Sequence, residues 1–533
     1  MKNLKYILFL AVTFVITSCS KSKLELVNPN DVQASNFWKS ETDALQGVLG
    51  VYDAFQNDNV AGNQYFRLDV MTDNLSTNTN SDSWLDLRNF AGTGLSSRVT
   101  GFWRWLFTVV NRANLVIEKV AAMPAASISD ASRTMILAEA KFLRAYAYHD
   151  LIMIYQGVPF YTKPNQALSE GIAPIKGSVV ADSLINDLIK NVIPNIPLTD
   201  VNGKGRATRG AAIALLGKLY MAKQDFVNAK ATLRLLKQPP YSYSLYPNFA
   251  RLFTPEDEFN NEAIFQINFT ASQLDGGEAF SFRIDTTTNP AVTPFGAPRN
   301  AYQVVNQFRD SYLYTDGRPR TTSSVYGATS PLINNTSQAI NRDPRFRATF
   351  FNNLDTTASR KRYWNFTPAS ATIFPGTVNS GSVAVKKYFF ISPIVYTNGN
   401  PQNFYLIRYA DVLLMLAEAE LEVDPSDPDI FINLQMIRNR AGIAMFTSTA
   451  WAALSTDNKR IAIRDERRWE FGFEHVRFFD FRRWGAAYTK QRLQAINTSI
   501  PVGTPDLQFV QWPYPQQELD NNPALKATGN PGW

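Results

Sequence analysis

Apolar residues recur at helical spacing in both ends of the chain, whereas the long stretch between the ends has no such period. Near the start, Ala44, Val48 and Phe55 fall on one helical face, and the polar run before them can cap the helix. Residues 238–400 are instead rich in proline, asparagine, threonine and aromatic residues. The pattern predicts a mainly α fold, in which helices from both ends form one scaffold and the irregular middle builds a surface on it.

The predicted helices fall into two groups, 36–236 and 405–500, on either side of the loop-rich region. They occupy 43–55, 102–122, 132–155, 178–193, 208–222, 226–236, 405–423, 428–441 and 461–473. Within the irregular middle, only the runs 263–269 and 382–391 are typical of short strands.

One predicted helix pair carries a repeat-like motif. Leu216-Gly217-x-x-Tyr220 matches a piece of the tetratricopeptide pattern, and Ala229 stands where the second helix of such a pair packs. A single repeat is weak evidence, but successive helix pairs on both sides of the middle region favour an array. The scaffold is therefore predicted to consist of tetratricopeptide-like helix pairs.

The chain begins with the features of a bacterial lipoprotein signal. Two lysines precede an apolar run at 6–16, which is too short to span a bilayer because a spanning helix needs roughly 20 residues. Small residues then lead to Cys19, the only cysteine of the sequence, in the arrangement of a lipobox. We expect residues 1–18 to be removed, Cys19 to carry lipid, and residues 19–35 to tether the fold to a membrane. The alternative, a buried cysteine in a core helix, fits a chain without any other thiol poorly.

Composition limits the classes of function and of domain organisation that remain open. The formal net charge is +7, and its basic residues are interspersed with acids, which argues against nucleic-acid binding. Residues 36–533 contain no Gly/Ser tract, proline string or charge block, so we expect a single domain. Aromatic residues make up 13% of the chain. Most of these rings must lie in the core, although exposed rings would also suit the flat faces of sugars.

The residues needed for catalysis are scarce. His149 and His475 are the only histidines, and both are interpreted as structural. A lipidated cysteine excludes Cys–His catalysis, and no Gly-x-Ser-x-Gly motif is present. The 46 acidic residues leave a carboxylate pair for glycoside hydrolysis open, although no pair stands out by its local context. We therefore predict no catalytic residues.

A polar stretch has the spacing of a calcium loop. Asn78, Asn80 and Asp82 alternate as oxygen ligands would, but the glycine and terminal glutamate of an EF-hand are missing. We interpret the stretch as a polar loop and predict neither a metal nor any other cofactor.

The segment 464–484 has the densest mixture of charged and aromatic residues. Glu474 and Arg477 stand three residues apart, as do Asp480 and Arg483, so each pair is expected to form across one helix face. A buried ion-pair network that joins helices is favoured over a base-stacking surface for nucleic acid.

Short motifs follow one another along nearly the whole chain. They are NFWK (36–39), AEAKFLRAY (138–146), GVP (157–159), RAT (206–208), NRDPR (341–345), RYADVLL (408–414), AEA (417–419), RNRAG (438–442), ERR (466–468), RFFDFRRW (477–484) and NPGW (530–533). In this order and behind a lipobox, the set resembles the SusD/RagB family of outer-membrane nutrient-binding lipoproteins.

The resemblance implies a fold of helix pairs with a loop-built binding face at the cell surface. It implies an oligosaccharide ligand, or a peptide in the RagB branch, with no chemistry, and a SusC-like TonB-dependent outer-membrane transporter as partner. A lipid-anchored glycoside hydrolase is the other alternative. Lys21 and Lys23 depart from the acids that often follow the lipidated cysteine in surface lipoproteins, which bears on surface exposure rather than on anchoring.

By the layout of the family, ligand contacts come from the loop after the first helix and from the irregular middle. The corresponding residues here are Asp73, Trp84, Arg88, Tyr302, Tyr363 and Trp364. An aromatic ring would cover the apolar side of a sugar, while the charged groups would bind its hydroxyls. Core packing is the alternative for each aromatic residue.

Overall fold

The computed structural model describes residues 37–57, 59–77, 83–166, 171–200, 205–270, 302–333, 339–351, 384–388 and 401–529. The helices of the first half are α1 (Glu41–Phe55), α2 (Asn63–Arg67), α3 (Trp84–Arg88), α4 (Ser97–Ala122), α5 (Asp130–Tyr155), α6 (Gly177–Asp187), α7 (Arg209–Ala222) and α8 (Phe226–Arg234). The remaining helices are α9 (Asn306–Ser311), α10 (Pro344–Thr349), α11 (Tyr409–Val423), α12 (Pro428–Ala441), α13 (Ser448–Ala452), α14 (Thr456–Phe471), α15 (Val476–Trp484), α16 (Ala486–Gln494), α17 (Gln516–Asn521) and α18 (Pro523–Thr528).

The strands are short and pair only two by two. They are β1 (Leu75–Thr77), β2 (Gly157–Val158), β3 (Ile175–Lys176), β4 (Ala263–Ile267), β5 (Tyr302–Val304), β6 (Phe350–Phe351), β7 (Ala384–Val385) and β8 (Phe404–Arg408). The antiparallel ribbons are β1–β5, β2–β3, β4–β8 and β6–β7.

The long helices pack as neighbouring pairs. Helix α4 pairs with α5, α7 with α8, and α11 with α12, while α1 lies across both α4 and α5. Helix α8 also packs against α11, so pairs from the two ends of the chain join directly. The predicted mainly α, tetratricopeptide-like scaffold is confirmed. No helix in the described ranges is long and apolar enough to cross a bilayer.

Local sequence signals account for several helix ends. Ser40 caps α1 in a capping box, because its hydroxyl accepts from the Asp43 N–H at 3.3 Å while the Asp43 carboxylate accepts from the Ser40 N–H at 2.8 Å. The Thr208 hydroxyl accepts from the Ala211 N–H at the start of α7. Gly442 ends α12 in the left-handed region, with φ of 73°.

In the C-terminal part of the chain, the structure differs from expectation in two places. The helix predicted from residue 405 begins only at Tyr409, because Phe404–Arg408 is extended and pairs with β4. The segment 464–484, whose charged pairs were expected to lie across one helix face, is divided between α14 and α15 by a turn in which Phe473 and His475 both have positive φ, of 65° and 61°. Tertiary pairing and this turn override the local helical pattern.

Aromatic rings from distant parts of the chain join the two helical groups. Trp512 makes edge contacts with Trp84, Phe102 and Phe478, at ring-centroid distances of 6.2, 5.5 and 5.6 Å. The Trp512 backbone N–H also donates to the Ile154 carbonyl at the end of α5. One continuous apolar core extends from Ala44 in α1 to Leu525 in α18.

Gly217 of the repeat-like motif permits the close approach of α7 and α8. A Cβ at this position would lie 2.4 Å from Leu233 Cδ2 and 2.7 Å from its Cγ, and Leu233 is itself buried. We expect Gly217→Ala to lower the free energy of unfolding by about 1–2 kcal/mol, because overpacking outweighs the better helix propensity of alanine. Urea denaturation would measure the change. Gly50→Ala in α1 is the matched control, since nothing lies within 4 Å of its added Cβ, and it should stabilise by up to about 1 kcal/mol.

Candidate ligand-binding face

Two neighbouring ribbons, β1–β5 and β6–β7, include three strands of the loop-rich region. Strand β1 precedes residues 78–82, and its partner β5 follows residues 271–301. Strands β6 and β7 flank residues 352–383, and β5 also packs against β7. The four strands, together with α16 at their edge, are called the ribbon-root face below. Strands β5, β6 and β7 of the predicted ligand-face region thus lie next to β1 of the helical part.

A buried ion-pair cluster fixes the ribbon-root face to the scaffold. Both Asp73 oxygens accept from Arg477 at 3.0 Å, and Asp73 Oδ2 also accepts from Arg492 Nη2 at 2.6 Å. Arg468 lies 3.4 Å from the same oxygen and donates to the Asn74 side chain. Burial alone would raise the pKa of Asp73, but the three arginines outweigh it and hold this pKa well below its usual range. The residues Arg468, Arg477 and Arg492 are called the arginine belt.

Arg88 is buried and stabilises the turn that leads into β1. Its Nη1 donates to the carbonyl oxygens of Val70, Thr72 and Leu75, the last two at 3.2 and 2.8 Å. Burial lowers the pKa of Arg88 to about 10, against the charge of Asp73, which raises it. The guanidinium therefore replaces the backbone hydrogen bonds that this irregular segment cannot make for itself.

The predicted ligand contacts in the first loop lie inside the protein. Asp73 and Trp84 have 0% exposed surface, and Arg88 has 5%. Trp84 packs on Phe102 and Trp512, and its indole N–H donates to Gln64 Oε1 at 3.3 Å. Direct ligand contact by these three side chains does not fit this placement. They support the face from beneath, because the loop after α1 folds inward instead of standing at the surface.

The other predicted site residues are not brought together with them. Tyr302 belongs to β5, where its backbone pairs with Thr77 of β1. Tyr363 and Trp364 lie outside the described residues, as do Asn78, Asn80 and Asp82 of the suggested calcium loop and Cys19. Their roles remain predictions.

Within the described ranges, one cluster of three acidic residues has the geometry to bind a cation. Carboxylate oxygens of Glu420, Asp427 and Asp429 lie within 4.8 Å of one another. Arg234 donates to Glu420 and Asp429 at 3.1 and 2.7 Å, and Lys230 donates to Asp427 at 2.7 Å. Basic side chains thus already supply the positive charge that this group needs.

The segment 464–484 forms the predicted ion-pair network, with one pairing corrected. Arg467 joins Asp411 and Asp480, and Arg483 pairs with Asp480 at 2.8 Å as expected. The predicted Glu474–Arg477 pair is wrong. Glu474 instead binds Lys387 and Arg408, and the left-handed His475 places it outside the helix that carries Arg477.

Asp69 is a buried carboxyl group next to the arginine belt. Burial raises its pKa to about 7, although the Phe473 N–H donates to its Oδ2 at 2.6 Å. Its other oxygen has no hydrogen-bond partner among the described residues. Because the folded state holds this proton more tightly than the unfolded state, the stability that Asp69 contributes is full below pH ~4 and is lost as the pH rises through 7.

Asp69→Asn should therefore change how stability depends on pH. The amide keeps an acceptor for the Phe473 N–H but never ionises. The free energy of unfolding of the variant should therefore rise relative to that of the wild type, by up to about 4 kcal/mol between pH 4 and 8. Unfolding free energies measured across this range would show the widening gap. Asp130→Asn, whose side chain is 97% exposed, is the control and should follow the wild-type curve. A constant Asp69→Asn difference would contradict the pKa assignment.

The fold defines a class of protein, a scaffold of helix pairs whose two helical groups are separated in sequence by a long region with little helix. Residues 261–533 match the model of the SusD family, and residues 23–221 match a second model described as starch-binding and associating with the outer membrane. The chain belongs to the SusD family.

Relatives extend this match over nearly the whole chain. SusD-like protein P25 of Formosa agariphila is 28% identical over 557 residues, which cover 99% of both chains. A SusD-like protein of Bacteroides ovatus is 25% identical over 415 residues, which cover 74% of this chain and 67% of the relative.

Solved structures share the fold. A SusD superfamily protein of Bacteroides vulgatus has a TM-score of 0.73 at 21% identity, covering 93% of this chain and 100% of its own. A laminarin-binding SusD-like protein has a TM-score of 0.63 at 23% identity, with the same coverage. Surface glycan-binding protein A of Bacteroides thetaiotaomicron, solved with laminarihexaose, has a TM-score of 0.63 at 19% identity, covering 90% of this chain and 97% of its own.

Proposed function

We propose that this chain is a surface lipoprotein that binds an oligosaccharide and delivers it to a SusC-like TonB-dependent transporter in the outer membrane. The observation that carries the proposal is the match to the SusD family over almost the full length, which includes the region described as starch-binding and outer-membrane-associated. Two proteins with the same fold are described as a laminarin binder and as a glycan-binding protein holding laminarihexaose. Lipid on Cys19 would supply the membrane attachment.

Several features support binding without catalysis. Both histidines are buried, at 3% and 2% exposed surface. His149 Nδ1 lies 2.8 Å from the buried Asp150, and burial lowers the pKa of His475 to about 3. Neither imidazole is placed to exchange protons with a ligand at the surface. The proposal includes no cofactor.

Calorimetry against two ligand pools tests the proposal. The mature protein would be titrated with a glycan panel that contains laminarihexaose, and separately with a peptide pool. We expect saturable binding of at least one glycan, and no reducing sugar released from it during prolonged incubation. Binding confined to peptides would identify the RagB-type alternative, and sugar release would identify a hydrolase.

Membrane attachment and partnership have their own test. Wild-type protein should sediment with the outer membrane and copurify with a β-barrel transporter, whereas Cys19→Ser should be released from the membrane. A Cys19→Ser product that stays attached, or a wild type that never copurifies with a barrel, would contradict this part of the proposal.

A further inference from the structure

Arg464 is a charged side chain that lies beside two adjoining aromatic rings, whose centroids are 5.3 Å apart, and it forms no ion pair within the described residues. Its guanidinium carbon lies 4.6 Å from the Trp484 ring centroid and 4.4 Å from that of Tyr488. No carboxylate in the described part of the chain lies within ion-pair distance of it, and its buried Nε has no hydrogen-bond partner. A donor without a partner among the described residues is available to a ligand. The three residues are called the arginine–aromatic patch.

The surroundings of the patch carry excess positive charge. Arg477 and Arg483 also lie over the Trp484 ring, at 5.2 and 5.0 Å. The acids nearby already have partners. Asp73 is paired with the arginine belt, and Glu418 is paired with Arg483 and accepts from the Trp484 indole N–H. Asp465 accepts from the Tyr326 hydroxyl at 3.1 Å, and burial raises its pKa.

The patch adjoins the ribbon-root face. Tyr488 and Arg492 both lie on α16, and Arg492 reaches Asp73, just before β1, while keeping 33% of its side chain exposed. The Asn497 side chain, just beyond α16, also bonds to Asn89, and Gln307 of α9 donates to the Ala495 carbonyl at 3.4 Å. A ligand on the ribbon-root face can therefore extend onto the patch.

We propose that the arginine–aromatic patch, with Arg492 beside it, binds the carboxylate or sulfate ester of an acidic glycan. This inference rests on the proposed function and names the class of ligand. A guanidinium donates paired hydrogen bonds to two oxygens of either anion, and a partly dry setting strengthens them. The Trp484 and Tyr488 rings lie within 5 Å of the guanidinium carbon and offer apolar surface to a sugar ring.

Matched saccharides test the assignment. Calorimetry would compare an oligogalacturonate, its neutral methyl ester and a sulfated carrageenan oligosaccharide on the same protein. We expect at least one acidic saccharide to bind more tightly than the methyl ester, and which of them binds better distinguishes carboxylate from sulfate. Arg464→Gln should weaken that binding at least roughly tenfold, and added NaCl should weaken it too.

Arg460→Gln is the matched control, because Arg460 is one turn away on α14 but is already paired with Glu422 and Asp457. It should bind like the wild type. If Arg464→Gln fails to fold, Tyr488→Ala on α16 supplies the same comparison from the other side of the patch.

The inference is overturned if the methyl ester binds as tightly as the acidic forms, or if Arg464→Gln binds them like the wild type. Tighter binding of hexaglutamate than of both acidic saccharides also overturns it, in favour of an acidic peptide. Either of the first two results leaves the proposed function intact as long as a neutral glycan binds. Failure of every saccharide to bind removes the proposed function and the inference together, and is recognisable as a separate result.

Discussion

Asp73→Asn is expected to lower the free energy of unfolding by roughly 3–5 kcal/mol. The carboxylate has no exposed surface and is the shared counter-ion of Arg468, Arg477 and Arg492. Removing its charge would leave three guanidinium groups crowded together, two of them buried, without their shared counter-ion. Chemical denaturation of the two proteins would measure the loss.

A surface acid provides the control for this prediction. Asp182 pairs with Lys223 and keeps 61% of its side chain exposed, so Asp182→Asn should cost below about 1 kcal/mol. If Asp73→Asn were equally mild, while ligand affinity fell sharply, Asp73 would be a ligand contact as the sequence first indicated. The arginine belt would then not be what anchors β1.

Trp84→Ala is the second substitution with a large expected effect, again roughly 3–5 kcal/mol of lost stability. The indole fills the space between Phe102 and Trp512 and has no exposed surface, so its removal leaves a cavity where the two helical groups meet. Thermal unfolding would detect the loss. Ligand affinity of the variant that remains folded should be unchanged, since the ring does not reach the surface.

Trp105 on α4 serves as the matched tryptophan. Its ring is only partly buried, and the Arg104 guanidinium carbon lies 5.7 Å from the ring centroid. Trp105→Ala should therefore lower the free energy of unfolding by clearly less than Trp84→Ala. Similar losses at both positions, or a normal melting temperature with weakened ligand binding for Trp84→Ala, would contradict the core assignment.

The helical scaffold could be predicted from the sequence because the sequence signals for helices are local. Periodicity placed α5 and α7, the polar run before Ala44 indicated the start of α1, and the Leu216-Gly217-x-x-Tyr220 motif indicated a helix pair. Each of these signals involves residues within a few turns of one another. Helix-pair packing follows from them with little further information.

The interior of the candidate site could not be predicted from the sequence, because its contacts join residues that are far apart in the chain. Asp73 and Arg477 are 404 residues apart, and nothing near either residue indicates the other. Asp73 and Trp84 stand in a polar stretch that is typical of exposed loops, yet rings and arginines from the C-terminal third cover them. Even the short-range Glu474–Arg477 pairing failed, because one left-handed residue between them changes which way each side chain points.

Hydrogen–deuterium exchange with the tightest-binding glycan of the panel tests the central claim most directly, since it reports where a ligand is held. We expect slower exchange in peptides from β5 and α9, from β7, and from α16, with no change in the α7–α8 pair on the scaffold. Protection confined to α7 and α8, with the ribbon-root face exchanging as in the free protein, would contradict the claim that this face binds the glycan.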